Sequence, residues 1–377
     1  MNQPITIPFN SPVLTGLETE SLLNPFKKRH FSGDGQMSQT CHKKLEELTH
    51  CKKALLTTSC TDALELSALA LNIQSGDEVI MPSYTFVSTA NAFALRGAKI
   101  IFADIDPKTM NICPRQIKSA ITKKTTAIVV VHYAGVSCDM GSILQISQEY
   151  KIPVIEDAAQ CVEAYYNDRH LGSLADFGTL SFHETKNIHC GEGGAILINN
   201  ENFIDSCEIP REKGTNRSQF LRGQIDKYSW RSLGSSFLPN ELTASFLIPQ
   251  LEAAKRITEK RLDLWNRYNE GLESIKEIER PFIPKYAKHN AHMYYIKTKD
   301  LGERTQLINF LRQHGIQSSF HYIPLHSSEA GKKLGRFSGE DIFTTKESER
   351  LLRLPMFYDL DVSQVDFIVE KVKEFYR

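Results

Sequence analysis

A lysine follows a predicted β-strand in residues 181–187, whose sequence is SFHETKN. Lys186 lies just past the end of that strand, where a side chain is partly removed from water. Desolvation lowers the pKa of an amine and leaves more of it in the neutral, nucleophilic form. A solvated loop lysine is the competing interpretation, because most lysines are of that kind. The glycines that follow, at residues 191, 193 and 194, permit close packing around a bulky group.

A second cluster of small polar residues lies at 57–63, with the sequence TTSCTDA, immediately before a predicted helix. The N-terminus of a helix offers free N–H groups and a partial positive charge, and the hydroxyls of Ser59 and Thr61 add donors. This arrangement suits a phosphate group. Simple capping of the helix explains the same residues, and it is the favoured interpretation when the segment is considered alone.

A third candidate, Asp157, ends an apolar strand in residues 155–160, whose sequence is IEDAAQ. A carboxylate that faces a pyridine nitrogen keeps that nitrogen protonated, and the ring then withdraws electrons from a bound substrate. Glu156 is the competing carboxylate. Because side chains alternate along a strand, Glu156 and Asp157 are expected on opposite faces of the sheet.

The elements around these clusters alternate between strands and helices, which predicts an α/β fold with a mainly parallel, doubly wound sheet. Ligands bind such sheets beyond the carboxyl ends of the strands, where all three clusters are expected to meet. The predicted strands are residues 79–81, 99–103, 127–132, 153–156, 179–182 and 195–198, and the predicted helices are 61–71, 87–95, 114–121 and 141–150.

Two domains are expected in a chain of 377 residues. Residues 1–250 are predicted to form the large domain with an N-terminal arm, and residues 251–377 a smaller α+β domain. A long amphipathic helix over residues 251–275 opens the second domain. Strands at 292–296 and 316–322 and helices at 304–314 and 365–375 complete it. A capping box at residues 344–347 (TTKE) predicts one further short helix.

Composition excludes several classes of function. Lys plus Arg and Asp plus Glu both total 45, so the formal net charge is zero and gives no overall attraction to nucleic acid or anionic membrane. Residues 1–10 lack the features of a signal peptide, and no apolar run is long enough to span a membrane. The 8 cysteines are scattered without CxxC spacing, so neither a disulfide framework nor a zinc site is expected. We therefore expect a cytoplasmic protein without a metal site.

The sequence resembles the DegT/DnrJ/EryC1/StrS family of sugar aminotransferases, which depend on pyridoxal phosphate and have the fold-type I architecture. The resemblance covers nearly the whole chain. It includes residues 76–83 (GDEVIMPS), 86–92 (FVSTANA), 156–160 (EDAAQ) and 181–187. Residues 211–220 (REKGTNRSQF), 321–326 (HYIPLH) and 344–350 (TTKESER) resemble one subgroup that acts on 4-ketosugars.

The resemblance implies a role for individual residues. Lys186 would carry pyridoxal phosphate as a Schiff base and later move the proton, and Asp157 would bind the pyridine nitrogen. The other implied cofactor contacts are Gln160 at the ring hydroxyl, Phe86 on the ring face, and Ser59, Cys60 (through its backbone N–H), Thr61 and Ser181 at the phosphate. The expected substrates are a dTDP-4-keto-6-deoxyhexose and L-glutamate, in a ping-pong reaction of a homodimer whose subunits share each active site.

Two positions depart from the family pattern. Many members have glycine where this chain has Cys60. Residues 234–238 read GSSFL, so Ser236 stands where the family has an asparagine that reaches the phosphate in the neighbouring subunit. A shorter hydroxyl can still donate, directly or through water.

Residues 211–231 are rich in basic and aromatic side chains, and Lys213 and Arg217 are predicted to bind the diphosphate of the nucleotide sugar. A solvated mixed-charge loop is the competing interpretation, since Glu212 and Asp226 lie in the same segment. His321 and Tyr322 are predicted substrate contacts rather than metal ligands, because no convergent ligand set accompanies them.

The sequence argues against three rival functions. A pyridoxamine-phosphate-dependent sugar dehydratase resembles this family with histidine in place of the lysine, so Lys186 argues against it. A non-catalytic regulatory protein on the same fold would not need Lys186, Asp157 and Ser181 together. A nicotinamide oxidoreductase would need a GxGxxG loop after its first strand, which the sequence lacks.

Overall fold

The computed structural model describes residues 6–377. Residues 1–5, half of the segment 1–10 in which no signal peptide is expected, lie outside the described residues. The strands, in chain order, are β1 (Lys53–Thr57), β2 (Glu78–Pro82), β3 (Lys99–Ala103), β4 (Thr125–Val131), β5 (Val154–Asp157), β6 (Tyr165–Tyr166), β7 (Arg169–His170), β8 (Phe177–Ser181), β9 (Gly194–Ile198), β10 (Ala287–Lys288), β11 (Tyr294–Lys297), β12 (Ser319–Phe320), β13 (Gly335–Phe337) and β14 (Leu351–Leu354).

The α-helices, in chain order, are α1 (Glu18–Ser21), α2 (Leu23–Lys28), α3 (Gln36–Thr49), α4 (Cys60–Ala70), α5 (Val87–Ala94), α6 (Pro114–Ala120), α7 (Met140–Tyr150), α8 (Ile204–Arg211), α9 (Arg217–Leu221), α10 (Glu241–Gly271), α11 (Leu301–Gln313), α12 (Glu329–Leu334), α13 (Thr344–Arg350) and α14 (Val362–Phe375). No helix within residues 6–377 combines the length and the apolar character needed to cross a membrane.

Eight strands form the central sheet in the order β1-β9-β8-β5-β4-β2-β3-β13. β9 runs antiparallel to both of its neighbours, and the other neighbouring pairs are parallel. The prediction of a mainly parallel α/β sheet is confirmed. β1 was not predicted; it is held by pairing with β9, whose partner residues are distant in the sequence.

Helices cover both faces of this sheet because its strands are apolar on both sides. In β2, Ile80 packs into a core with side chains of α3, α6, α7 and α10. Its neighbours Val79 and Met81 point the other way, into a core with α4 and α5. These opposite packing directions follow from alternation along a strand, and they make the architecture doubly wound.

The helix α10 is longer than the predicted one and begins at Glu241 rather than at residue 251. Asn240 caps it, its side chain accepting a 2.9 Å hydrogen bond from the N–H of Thr243. The N-terminal part of α10, from Ala244 to Ile257, packs into a core of the central sheet. Its second half, including Trp265, packs into a separate core with β11, β14, α11 and α14. The proposed domain boundary at residues 250/251 therefore falls inside this helix.

The C-terminal region contains a three-stranded antiparallel sheet in the order β11-β14-β12. Two expectations about this region were wrong. The strand predicted at 316–322 is shorter and consists only of β12. β13, although it lies in the C-terminal part of the sequence, pairs with β3 of the central sheet. The short helix predicted at residues 344–347 is present as α13, but its capping box does not form, because the Thr344 hydroxyl donates instead to the Asp104 carboxylate at 2.6 Å. A capping box occurs at Asp361 and Gln364.

Candidate active site

A cavity of about 680 Å³ lies at the carboxyl ends of the parallel strands. Its wall includes Val131 at the end of β4, Asp157 at the end of β5 and Ser181 at the end of β8. The other predicted residues that line it are Ser59, Cys60, Thr61, Phe86, Gln160, Lys186, His321 and Tyr322. The fold thus brings ten of the thirteen predicted site residues to one cavity, together with Val131, which was not predicted to take part.

The N-terminus of α4 forms one end of the cavity. The Ser59 side chain caps the helix by accepting a 3.1 Å hydrogen bond from the N–H of Asp62, so the capping interpretation is correct for that hydroxyl. The backbone N–H groups of Cys60 and Thr61 have no acceptor among residues 6–377. Two free N–H groups at the positive end of a helix are suited to a phosphate. Capping and anion binding are therefore compatible here.

Glycine at residue 194 allows β9 to approach this helix terminus. A Cβ atom on Gly194 would lie 2.4 Å from the backbone nitrogen of Cys60. No real side chain tolerates such a distance without moving the backbone. The glycine run that follows Lys186 in the sequence therefore keeps the α4 terminus in place beside β9.

The two acidic residues at the end of β5 have different environments. Glu156 is fully buried, and its carboxylate accepts hydrogen bonds from three backbone N–H groups, of residues 172, 174 and 175, at 2.7–2.9 Å. Its Oε2 also lies 2.9 Å from Nε2 of His132. Asp157 lines the cavity on the opposite face. The alternation expected from the sequence is confirmed, and it leaves Asp157 as the carboxylate available to a ligand.

Two groups hold the Asp157 carboxylate. Its Oδ2 accepts a 2.7 Å hydrogen bond from the Thr89 hydroxyl, and its Oδ1 accepts a 3.2 Å bond from the N–H of Ala159. Burial raises the pKa of Asp157 above its ordinary value, although both hydrogen bonds act in the opposite direction. A protonated nitrogen placed against the carboxyl would favour its ionised form, because opposite charges at short range stabilise each other.

Lys186 is half-buried in the cavity wall. Burial lowers the pKa of its amine; the Cys60 thiol and the Asp157 carboxylate act to raise it, and the positive charge of Arg353 acts to lower it. Its Nζ has no hydrogen-bond or salt-bridge partner within residues 6–377. An amine with a lowered pKa and no partner is available as a nucleophile and as a proton carrier.

Another part of the cavity wall consists of Gln160 and the ring side chains of Phe86, His321 and Tyr322. The Gln160 side chain accepts a 2.6 Å hydrogen bond from the N–H of Ala134 and lies 3.4 Å from the hydroxyl of Tyr322. Nδ1 of His321 lies 3.1 Å from the hydroxyl of Tyr133. Burial holds the pKa of His321 well below its ordinary value, so its imidazole is neutral. The Phe86 ring is 55% exposed and lies 6.2 Å from the Tyr322 ring.

Three predicted site residues lie outside this cavity: Lys213, Arg217 and Ser236. Arg217 pairs with Glu212 at 2.5 Å, and Arg222 of the same segment pairs with Glu208 at 2.8 Å. The basic segment is thus partly neutralised by its own carboxylates, as the mixed-charge interpretation predicts. Ser236 is exposed.

Sequence reasoning missed several side chains that line the cavity, above all Thr89, His292 and Arg353. Thr89 follows Phe86 by three positions, so a helical period from that residue was the available signal. Arg353 alternates with the core residues Leu352 and Leu354 in β14, which is the pattern of a strand with one face turned from the core. His292 also lines the cavity. Its Nδ1 lies 3.0 Å from the side-chain oxygen of Asn187.

The fold and the site define a fold-type I, pyridoxal-phosphate-dependent transferase. The chain belongs to the DegT/DnrJ/EryC1/StrS aminotransferase family, whose model matches residues 16–373. It is a pyridoxal-phosphate-dependent sugar aminotransferase, as the family and the structural neighbours establish.

Individual relatives span nearly the same length. The chain is 31% identical over 376 residues to the spore coat polysaccharide biosynthesis protein SpsC of Bacillus subtilis, covering 98% of this chain and 96% of that protein. It is 35% identical to a pleiotropic regulatory protein of Geobacillus stearothermophilus, covering 84% and 83% respectively. It is also similar to the solved structure of Spr1654 from Streptococcus pneumoniae in its PLP form, with 25% identity, a TM-score of 0.89 and coverage of 100% and 99%.

The cavity fits this cofactor. The free N–H groups at the start of α4 suit the phosphate, the buried Asp157 carboxyl suits the ring nitrogen, and the unpartnered amine of Lys186 lies in the same cavity. No cluster of three or more potential metal-binding side chains occurs in residues 6–377.

Proposed function

We propose that the protein converts dTDP-4-keto-6-deoxy-D-glucose to dTDP-4-amino-4,6-dideoxy-D-galactose, with L-glutamate as the amino donor in a ping-pong reaction. The subgroup that residues 211–220, 321–326 and 344–350 resemble is the dTDP-4-amino-4,6-dideoxygalactose transaminase of enterobacterial common antigen synthesis. The similarity to a polysaccharide biosynthesis protein supports a role in making a cell-surface sugar.

One observation carries the catalytic part of the proposal. The Lys186 amine is unpartnered and has a lowered pKa in a cavity that also contains Asp157 and the free N–H groups of α4. Such an amine is costly to maintain unless a ligand uses it. Lys186 is therefore the proposed attachment point of the cofactor.

The other residues are proposed to hold the cofactor at its opposite ends. Ser181, Ser59 and the N–H groups of Cys60 and Thr61 bind its phosphate, with Ser236 contributed by the second subunit of a homodimer. Asp157 binds the ring nitrogen, Gln160 the ring hydroxyl, and Phe86 covers the ring face. When bound, pyridoxal phosphate supplies the electron sink that stabilises negative charge at the reacting carbon.

The chain's own contribution to the reaction is proton movement and orientation. Nζ of Lys186 takes a proton from one carbon and returns it to another, a role typically worth about 10²–10⁴-fold in rate. The ionised Asp157 carboxylate keeps a proton at the ring nitrogen by accepting its N–H, and the hydrogen bonds from Thr89 and Ala159, which lower the pKa of Asp157 against the effect of burial, favour that ionised form. His321 and Tyr322 line the space left for the sugar.

Lys213 and Arg217 are proposed to bind the diphosphate of the nucleotide sugar in the second subunit's site, since neither lines the cavity of its own chain. Arg217 would exchange part of its pairing with Glu212 for the phosphate. This sharing of sites makes the homodimer part of the proposal.

The test is incubation with dTDP-4-keto-6-deoxyglucose and L-glutamate, followed by NMR assignment of the new amine. An axial amine at C4 is the expected product. An equatorial amine, or amination at C3, would contradict this assignment. The protein would then be an aminotransferase for a different keto position or C4 epimer of a nucleotide sugar.

Lys186→Ala is expected to abolish turnover. Lys118→Ala is the matched control, because Lys118 is an exposed lysine paired with Glu149 on the protein surface. Near-normal turnover in Lys186→Ala would overturn the assignment of Lys186.

A non-catalytic regulatory protein on the same fold is the second candidate, and the relative described as a pleiotropic regulatory protein favours it. Borohydride treatment, with loss of the visible cofactor band and cofactor mass retained on Lys186, separates the aminotransferase from a nicotinamide oxidoreductase. Exchange of the amino group separates the aminotransferase from the regulatory candidate: a catalytic protein incubated with L-glutamate is expected to release 2-oxoglutarate. A protein that binds cofactor and never exchanges its amine with any amino acid would fit the regulatory candidate.

A further inference from the structure

His292 is a cavity residue to which the proposed reaction gives no role. It lies two residues before β11 and directly after the buried residues Asn290 and Ala291. Its ring is half-buried and lines the same cavity as Lys186. The two nitrogens of a histidine ring differ, so what the ring offers a ligand depends on which nitrogen carries the proton.

A neighbouring amide determines where that proton lies. The Asn187 side chain donates a 3.0 Å hydrogen bond from Nδ2 to the backbone carbonyl of Asn290. Because a carbonyl only accepts, this contact fixes the orientation of the amide. Oδ1 of Asn187 then lies 3.0 Å from Nδ1 of His292. An amide oxygen also only accepts, so the ring must carry its proton on Nδ1.

Asn290 holds this arrangement in place. Its Nδ2 donates to the backbone carbonyls of Gln160 and Val162, at 2.9 and 2.7 Å. Its Oδ1 accepts a 3.1 Å hydrogen bond from the backbone N–H of His292. The segment that carries His292 is thus fixed to the loop after β5, and the ring is fixed to the residue that follows Lys186.

The ring is neutral. Burial and the positive charges of Lys186, Arg261 and Arg353 hold the pKa of His292 well below its ordinary value. With the proton on Nδ1, a neutral ring has an unprotonated Nε2. This Nε2 has no hydrogen-bond partner in the described part of the chain, and protein atoms do not enclose it. It is therefore a free hydrogen-bond acceptor in the cavity.

Few groups of the proposed ligands can donate to this acceptor. The carboxylates of L-glutamate and the phosphate of the cofactor accept hydrogen bonds, and Asp157 and Gln160 are the proposed partners of the cofactor's ring nitrogen and ring hydroxyl. A cationic amine is disfavoured beside the three positive charges that act on His292. A hydroxyl of the sugar is neutral and donates, so it fits Nε2.

We infer that Nε2 of His292 accepts a hydrogen bond from the C3 hydroxyl of the sugar. This inference rests on the proposed function, because it takes the substrate to be a 4-ketohexose. C3 is bonded to the reacting C4, and His292 lies near Lys186, whose neighbour Asn187 binds its ring and whose charge acts on it. The donors of the thymidine lie beyond the diphosphate. His292 thus selects sugars that have a hydroxyl at C3.

The test uses the holoenzyme and three nucleotide sugars that cannot be aminated. dTDP-6-deoxy-D-glucose has a hydroxyl in place of the C4 ketone, and its 3-deoxy and 2-deoxy counterparts each lack one further hydroxyl. Calorimetric titration measures their affinities. The unchanged protein is expected to bind the 3-deoxy sugar about 10- to 100-fold more weakly than the parent sugar, because the acceptor is left unpaired. The 2-deoxy sugar should bind within about threefold of the parent sugar.

His292→Phe keeps a ring but removes the acceptor, so it should bind the parent and the 3-deoxy sugar within about twofold of each other. His292→Gln, whose amide oxygen can accept, is expected to recover part of the discrimination. His289→Phe is the matched control: burial lowers the pKa of His289 to about 4, so its ring is also neutral, but it does not line the cavity. This control should discriminate as the unchanged protein does. Thermal unfolding of each variant checks that the fold is intact.

Nitrogen NMR of histidine-labelled protein tests the tautomer without any nucleotide sugar. The signals of His292, assigned by their loss in His292→Phe, are expected to show a protonated Nδ1 and an unprotonated Nε2 at neutral pH. A proton on Nε2 would overturn the inference.

The binding experiment can overturn it in three further ways: the unchanged protein binds the 3-deoxy sugar as tightly as the parent sugar, it binds none of the three sugars, or His292→Phe keeps the discrimination. The proposed function fails separately. A protein that discriminates through His292 but forms no C4 amine from dTDP-4-keto-6-deoxyglucose would keep the hydroxyl site and lose the proposed reaction.

Discussion

The Thr89 hydroxyl donates a 2.7 Å hydrogen bond to Oδ2 of Asp157, and both side chains are buried. Behind Thr89, the hydroxyl of Thr85 lies 2.8 Å away. The N–H of Ala159 holds the other carboxylate oxygen. The plane of the Asp157 carboxyl is therefore fixed by α5 and by the end of β5, and a ring nitrogen would meet an acceptor that is already oriented.

Thr89→Val is expected to weaken cofactor binding about 10-fold, because it removes one hydrogen bond to a charged group while keeping the shape of the side chain. Titration of the apoprotein with pyridoxal phosphate measures the effect. Thr89→Ser retains the hydroxyl and should bind nearly as the unchanged protein does. Equal affinity in the valine and serine variants would show that Thr89 does not position Asp157.

Asp157→Asn and Glu156→Gln are expected to have opposite effects on activity and stability. Asparagine at 157 cannot carry the proton for the ring nitrogen, so turnover should fall at least about 100-fold with little change in Tm. Glutamine at 156 would place an amide NH₂ against donors that now bind an oxygen, so the fold should lose about 1–3 kcal/mol. Turnover assays and urea unfolding of both variants test this pair. Similar profiles for the two would contradict their assignment to opposite faces.

A strand of the central sheet can be predicted from the sequence where its own residues have a strand pattern. It cannot be predicted where pairing with distant residues makes it a strand. β3 was predicted at its observed bounds because its apolar run is buried on both faces. β1 is buried over residues 54–57 but has alanine and leucine where β3 has β-branched residues, and β13 has no buried run. The first is a strand because Ala54 pairs opposite Leu197, and the second because Gly335 pairs beside Ile100. Pairings between distant residues are not visible in a short window of sequence.

The site shows the same division. Lys186 and Asp157 could be placed together because each follows a strand end, and parallel strands bring their ends to one edge. For Thr89 the helical period from Phe86 was the one available signal, and it does not show that Asp157, which is distant in the sequence, lies against this hydroxyl. Arg353 belongs to a strand of the C-terminal region, and only the folding of that region over the cavity brings it to Lys186.

The pH dependence of apoprotein stability is expected to change in Lys186→Met. Burial lowers the pKa of Lys186 below its ordinary value of 10.5, so between the folded pKa and 10.5 the unfolded chain binds a proton that the folded chain does not. The stability contributed by this group therefore rises with pH across that window. Lys186→Met lacks this penalty, and its advantage in Tm over the unchanged apoprotein should be largest at the lower pH values and shrink towards 10.5.

Lys118→Met is the control for this experiment. Lys118 is exposed, and its hydrogen bond with Glu149 raises its pKa instead of lowering it. Its variant should show no advantage that narrows with rising pH. A constant difference between Lys186→Met and the unchanged protein at all pH values would contradict the lowered pKa.

The buried ion network of the C-terminal region should be sensitive to Lys297. Its side chain is 2% exposed, and its Nζ lies 2.8 Å from Glu347, 3.0 Å from Glu279 and 2.7 Å from the carbonyl of Pro107. Lys297→Met leaves these oxygens without their shared cation and is expected to cost about 3 kcal/mol of unfolding free energy. Urea unfolding of the apoprotein measures it.

An exposed ion pair provides the comparison. Lys333 and Glu329 are 2.7 Å apart but 70% and 87% exposed. Lys333→Met is expected to change stability by less than about 0.5 kcal/mol. Equal losses in the Lys297 and Lys333 variants would mean that burial of the network adds nothing.

The position of β13 affects how the chain folds during synthesis. The central sheet ends at β3 until residues 335–337 have been made, and those residues come late in the chain. A nascent or truncated chain lacking them would expose the unpaired backbone groups of an apolar edge strand, which is a template for pairing between molecules. By covering that edge, β13 makes the last part of the chain a safeguard against aggregation of the first.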